Sequence, residues 1–205
     1  LSDGLEVGFE HPGGYGEYFL TDASNVHVLP DSLDLLTSIL IEPLAVCVRG
    51  FHRLKPEPDS PILIFGDGPI GLLMITLLRA YGYNSIVIIG GRSHRLAAAR
   101  SLGANLTLSY HDSHTKNLAD YITQEITSHE NPAGKDTPTA RNADSRIVKN
   151  RKSFPAIIEA TGTPEAIRAL WPLSGHDSRV LLMGDYQNVT EPVEWQMMLH
   201  KEISL

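Results

Sequence analysis

The apolar pattern of the chain changes character near residue 60. Beyond that point, short and largely apolar runs at 62–65, 86–89, 106–108, 156–159 and 180–183 alternate with helically spaced stretches at 70–80, 93–102, 118–126 and 164–170. Runs without polar alternation read as strands buried on both faces. Their alternation with helices predicts an α/β fold with a doubly wound parallel sheet and right-handed crossovers. A last run at 203–205 reads as the start of a further strand. Ahead of residue 60, residues 15–20 and 26–29 read as two short strands. Pro30-Asp31-Ser32 then breaks the pattern. Leu33, Leu36, Ile39, Leu40, Leu44 and Val48 follow at helical spacing, in a helix that Pro43 should kink or split. Residues 55–60 form a turn or linker, and 128–153 a long polar loop.

Between the run at 62–65 and the helix at 70–80 lies Gly66-Asp67-Gly68-Pro69-Ile70-Gly71. A GxGxxG that follows a strand and opens a helix is a dinucleotide-binding fingerprint, and it makes the predicted sheet a Rossmann domain. Each residue has a physical task. Gly66 permits the tight turn, Gly68 lets a pyrophosphate reach the backbone, and Gly71 lets helix and strand pack closely. Pro69 fits the first helical turn, where its missing N–H costs little. The amides that follow, from Ile70 onward, face a bound phosphate. Asp67 is the odd residue, because its charge would repel a pyrophosphate; it is expected to point away.

The end of the second strand selects the nicotinamide cofactor. NAD sites place an acid there to accept from the ribose hydroxyls. Here the stretch is Ile89-Gly90-Gly91-Arg92-Ser93-His94-Arg95, with no carboxylate. Arg92 and Arg95 at a helix start suit a 2′-phosphate, so NADP is expected, with NAD as second choice.

Composition narrows the function classes. The 205 residues carry a net charge of −7, with 42% hydrophobic and 20% charged residues, which suits a globular core. The acidic balance argues against nucleic-acid or membrane-surface binding. No apolar run reaches the length of a membrane span, and residues 1–4 show no signal-peptide pattern. Cys47 is the single cysteine, so no internal disulfide can form and a cytoplasmic location is expected. Cys47 itself reads as a core residue. His111 and His114 have HxxH spacing, but without a third strong ligand they read as surface residues. His52 reads as a polar helix end. The chain has no initiating methionine and opens and closes in mid-pattern, as an internal piece of a longer protein would.

Taken in order, several stretches resemble the zinc-type medium-chain dehydrogenases, especially the polyol (sorbitol) and threonine dehydrogenase branch. They are 13–18 and 25–31, Ile41-Glu42-Pro43-Leu44, the loop from Gly66 to Leu73, Ser101-Leu102-Gly103-Ala104 and Glu159-Ala160-Thr161-Gly162. Gly90-Gly91-Arg92 is similar to the Gly-Ser-Arg of NADP-using members. The resemblance implies that residues 1–43 are the end of a GroES-like β-barrel catalytic domain and 44–205 the dinucleotide-binding domain. It implies that Thr161, Gly162, Met183 and Gly184 face the cofactor from strand ends, and that Glu42 lies at or beside a zinc. It implies a zinc-assisted hydride transfer between NAD(P) and a secondary alcohol, polyol or ketone, in a homodimer or homotetramer. The family's cysteine ligand, Gly-His-Glu motif and four-cysteine lobe are not among these residues, so the principal catalytic ligands are unknown. A nucleotide-binding or assembly module without catalysis, and a zinc-free quinone reductase, remain open alternatives.

Overall fold

Among the described residues, five strands form one parallel sheet whose spatial order, counted along the chain, is 3-2-1-4-5. The computed structural model describes residues 7–8, 11–113, 117–130, 153–186 and 191–205. The strands are β1 (Ile62–Phe65), β2 (Ile86–Gly90), β3 (Leu106–Ser109), β4 (Phe154–Glu159) and β5 (Ser174–Leu182). The helices are α1 (Leu35–Ser38), α2 (Ile41–Leu54), α3 (Pro69–Ala80), α4 (Ser93–Ser101), α5 (Leu118–Glu130), α6 (Pro164–Leu173) and α7 (Trp195–His200).

The unbroken apolar strands explain the layering. Alternate side chains of one strand must enter different cores. Leu63, Phe65, Val87, Ile89, Leu108 and Ile157 pack with Ile122 and Ile126 of α5 and Ile167, Leu170 and Trp171 of α6. Ile62, Ile64, Ile86, Ile88 and Ile158 pack with Phe51 of α2, Met74 and Leu78 of α3 and Leu96 of α4. The predicted doubly wound sheet is therefore present, with β1 and β4 side by side where the strand order reverses.

Two compact units divide the chain, Leu1–Ile39 and Leu40–Leu205. Pro43 cannot donate to the carbonyl of Ile39, and no continuous helix passes through 39–40. The helix does split, but Pro43 lies in the first turn of α2 rather than at the break.

The strands expected at 15–20 and 26–29 do not form; the segment holds a 3-10 turn at Ala23–Asn25, capped by Asp22. Tyr15, Tyr18, Leu20, Val26 and Val28 are exposed, and no described segment pairs with them. A strand is a pairing rather than a local property, so alternation alone does not make one. At the other end, 203–205 contributes a single parallel bridge, Arg179 to Ser204, instead of a sixth strand. α5 continues to Glu130, beyond its expected end. Most of the expected polar loop, 131–152, and His114 lie outside the described residues.

Candidate functional site

The turn from β1 into α3 is built as its glycines require. Gly66 has φ +110°, and a Cβ there would stand 3.0 Å from the Ala160 carbonyl oxygen and 3.0 Å from Cγ2 of Thr161. A Cβ on Gly71 would collide with the Gly66 carbonyl. Gly68 differs from both. It has ordinary extended backbone, caps α3 without a side-chain hydrogen bond, and has nothing within 4 Å of where a Cβ would be. The protein itself thus places no demand on a glycine at 68; the space above it is open. Pro69 opens α3, so the first amides on offer are those of Ile70 and Gly71.

That opening leads into a cavity of about 620 Å³ at the carboxyl ends of the strands, lined in part by Gly66, Asp67, Gly68, Gly90, Arg92 and Arg95. Tyr110, Leu118, Thr161, Thr163 and Glu165 also line it. The cavity lies at the switch point between β1 and β4, where ligands bind in open α/β sheets. Its size, the bare glycine and the uncapped helix start fit a dinucleotide's phosphates.

The expected residues divide into three groups. Gly66, Gly68, Gly90, Arg92, Arg95 and Thr161 line the cavity directly. Pro69, Ile70 and Gly71 form the first turn of α3, and Gly91 directly follows β2. Gly91 lies under Tyr110, whose hydroxyl would collide with any Cβ there. Gly162 and Gly184 pack against each other at the ends of β4 and β5, with no room for a side chain on either. Met183 is turned toward α2: its Sδ would sit 3.3 Å from a Cβ on Gly50.

Two carboxylates organise the site in ways the sequence did not reveal. Glu159, fully buried at the end of β4, accepts from the amides of Thr161 (2.8 Å) and Gly162 (3.2 Å). It also accepts from the hydroxyls of Thr161 and Tyr186. Burial and the Glu159 charge push the Tyr186 hydroxyl well above its ordinary pKa, so it stays protonated as a donor. This network holds Thr161 at the cavity wall. The second carboxylate is Asp67. It does turn from the phosphate loop, as expected, but toward the end of β2. There its Oδ2 accepts from the amides of Gly91 (3.1 Å) and Arg92 (2.8 Å). Residues 89–95 carry no carboxylate of their own, but one reaches the end of β2 from the glycine loop.

Glu42 is exposed in the first turn of α2. Among the described residues no group of three or more His, Cys, Asp and Glu side chains could hold a metal. These residues do not fit a zinc site by themselves, and a metal role for Glu42 rests on the resemblance alone. The His111 ring lies against that of Tyr110, tilted by 50° with centroids 4.3 Å apart. Cys47 is buried, its Sγ 3.8 Å from the Ile70 carbonyl, as expected of a core thiol. No helix among the described residues is long and apolar enough to cross a membrane.

A family model described as zinc-binding dehydrogenase matches residues 69–205. The chain belongs to the zinc-binding dehydrogenase family. Galactitol 1-phosphate 5-dehydrogenase of Escherichia coli (strain K12) is 25% identical over 178 residues, which are 87% of this chain and 44% of that protein. An alcohol dehydrogenase from Escherichia coli CFT073, complexed with NADH, superposes with a TM-score of 0.77 at 21% identity, over 98% of this chain and 51% of that one. A Sinorhizobium meliloti 1021 protein bound to NADP gives a TM-score of 0.75 at 21% identity, over 97% and 51%. The chain spans about half the length of the curated relatives it matches.

Proposed function

We propose that this chain is the cofactor-holding part of an oxidoreductase that moves a hydride between NAD(P) and a secondary alcohol or polyol, or the matching ketone. The observation that carries the reading is the bare face of Gly68 above the uncapped start of α3, opening into the cavity at the β1–β4 switch point. Membership of the family supports it, as does a curated relative that is a galactitol 1-phosphate dehydrogenase.

On this reading the amides of Ile70 and Gly71 take the phosphates, because a helix start concentrates partial positive charge and unpaired N–H groups. Gly66 and Gly71 keep loop and helix close enough for that. Glu159 fixes Thr161 and Gly162 beside the cofactor channel through its hydrogen bonds to their amides. Tyr110 and Leu118 offer apolar surface beyond β3 for an adenine ring. The nicotinamide, when bound, supplies the hydride chemistry; these residues bind and orient it.

The reading is tested on the parent enzyme of which this chain is proposed to be the cofactor-holding part, incubated with NAD or NADP and a panel of secondary alcohols, polyols and polyol phosphates. Growth of reduced-nicotinamide absorbance with one substrate class supports it. Tight dinucleotide binding without turnover on any of them would favour the non-catalytic module instead.

A further inference from the structure

Asp67 occupies an unusual place for a residue of the phosphate loop. Its Oδ2 is hydrogen-bonded to two consecutive amides, those of Gly91 and Arg92, where β2 runs into α4. The carboxyl group lies so close over Gly90 that a Cβ there would meet it, with Oδ2 at 2.7 Å. Asp67, Gly90, Arg92 and Arg95 share one wall of the cavity. Oδ1 accepts no hydrogen bond among the described residues and keeps its lone pairs.

Those two amides matter because they belong to the loop and helix start that a 2′-phosphate would use. An anion placed at the end of β2 needs N–H donors from the turn into α4, together with the arginines. Here the donors already hold an anion that the chain supplies itself. A phosphate entering beside it would meet a like charge and find the amides taken, and like charges set side by side are strongly disfavoured. A ribose diol has the opposite requirement, an acceptor within reach, which the carboxylate provides. Glu165 also lines the cavity and adds to the negative side of the balance. Arg92 is exposed and Arg95 half-buried, and neither forms an ion pair with Asp67.

We infer that Asp67 is the specificity residue of the adenosine subsite: it reads the ribose hydroxyls from the glycine loop and selects NAD against NADP. The inference rests on the dinucleotide reading proposed above and reverses the preference that the arginines suggested from sequence.

The test uses probes that carry only the adenosine and phosphate end. Binding of ADP-ribose and of 2′-phospho-ADP-ribose to the 205-residue chain is measured by calorimetry, for the wild type, Asp67→Asn, Asp67→Ser and Arg92→Ala. The wild type should prefer ADP-ribose by about tenfold or more. Asp67→Asn keeps an acceptor for the two amides but loses the charge, and should shrink or invert that ratio. Arg92→Ala should leave ADP-ribose preferred. Tighter wild-type binding of the 2′-phosphate overturns the inference, as does an unchanged ratio in a folded Asp67→Asn or Asp67→Ser protein. If both variants fail to fold, the wild-type ratio still decides. Failure of both probes to bind the wild type removes the dinucleotide reading itself, an outcome distinct from binding with the wrong preference.

Discussion

At the residue scale, the fully buried Glu159 is held by several partners, so a single change there should be costly. Glu159→Ala would leave the amides of Thr161 and Gly162 and the Tyr186 hydroxyl without an acceptor. A loss of about 3 kcal/mol or more is expected in urea unfolding, together with weaker dinucleotide binding. Burial also makes the protein alkali-sensitive. The Cys47 thiol is pushed up from 9.0 to about 11 by burial, and the Tyr121 hydroxyl from 10.0 to about 12, mainly by burial and then by Glu125 and Asp112. Both groups are neutral when folded and have raised folded pKa values. Their contribution is complete below the unfolded value and is lost as the pH climbs through the folded one. The melting temperature should therefore fall from about pH 9 upward, and Cys47→Ala should flatten the part between 9 and 11. A melting curve that is level across that window would contradict the burial of the thiol.

At the scale of elements, the βα alternation was legible because strands buried on both faces show as unbroken apolar runs. What needed a partner was not legible. Residues 15–20 alternate like a strand but have no described neighbour to pair with. Conversely, Ser174-Gly175-His176-Asp177-Ser178 looks like a loop, yet it opens β5 because Phe154 pairs with Ser174 and accepts from the Ser178 hydroxyl at 2.6 Å. α7 escaped notice because it is short and uncapped, with only Met197 and Met198 packed inward. The site shows the same division. The glycine loop is local and was readable. The role of Asp67 depends on Gly91 and Arg92, reached only when β1 and β2 lie side by side. Arg79 illustrates a joint of this kind. From the end of α3 it donates through Nε to the Gly103 carbonyl (2.8 Å), and it also reaches the Tyr83 carbonyl and the side chains of Asn84 and Asn105. Arg79→Ala should cost about 2 kcal/mol in urea unfolding. Arg79→Lys should recover only part of it, since one ammonium cannot match the planar fork. Equal stability of all three would show that the joint contributes nothing.

Across the whole molecule, two buried layers on opposite faces of one parallel sheet hold the strand ends in fixed register, and the cavity is a by-product of where the strand order reverses. On the proposed reading this cavity receives a dinucleotide over the start of α3. The contrast between two glycines of one loop isolates it. Gly71 is required by packing, so a side chain there should damage the fold. Gly68 meets no packing constraint inside the protein, so Gly68→Val should fold, with a loss of only about 1 kcal/mol from the weaker helix cap. The direct measurement is a fluorescence titration of wild-type and Gly68→Val protein with NADH and NADPH. Saturable binding by the wild type, reduced at least about tenfold in a fully folded Gly68→Val, is the predicted result. Equal binding by the two proteins, or none by the wild type, would contradict the account.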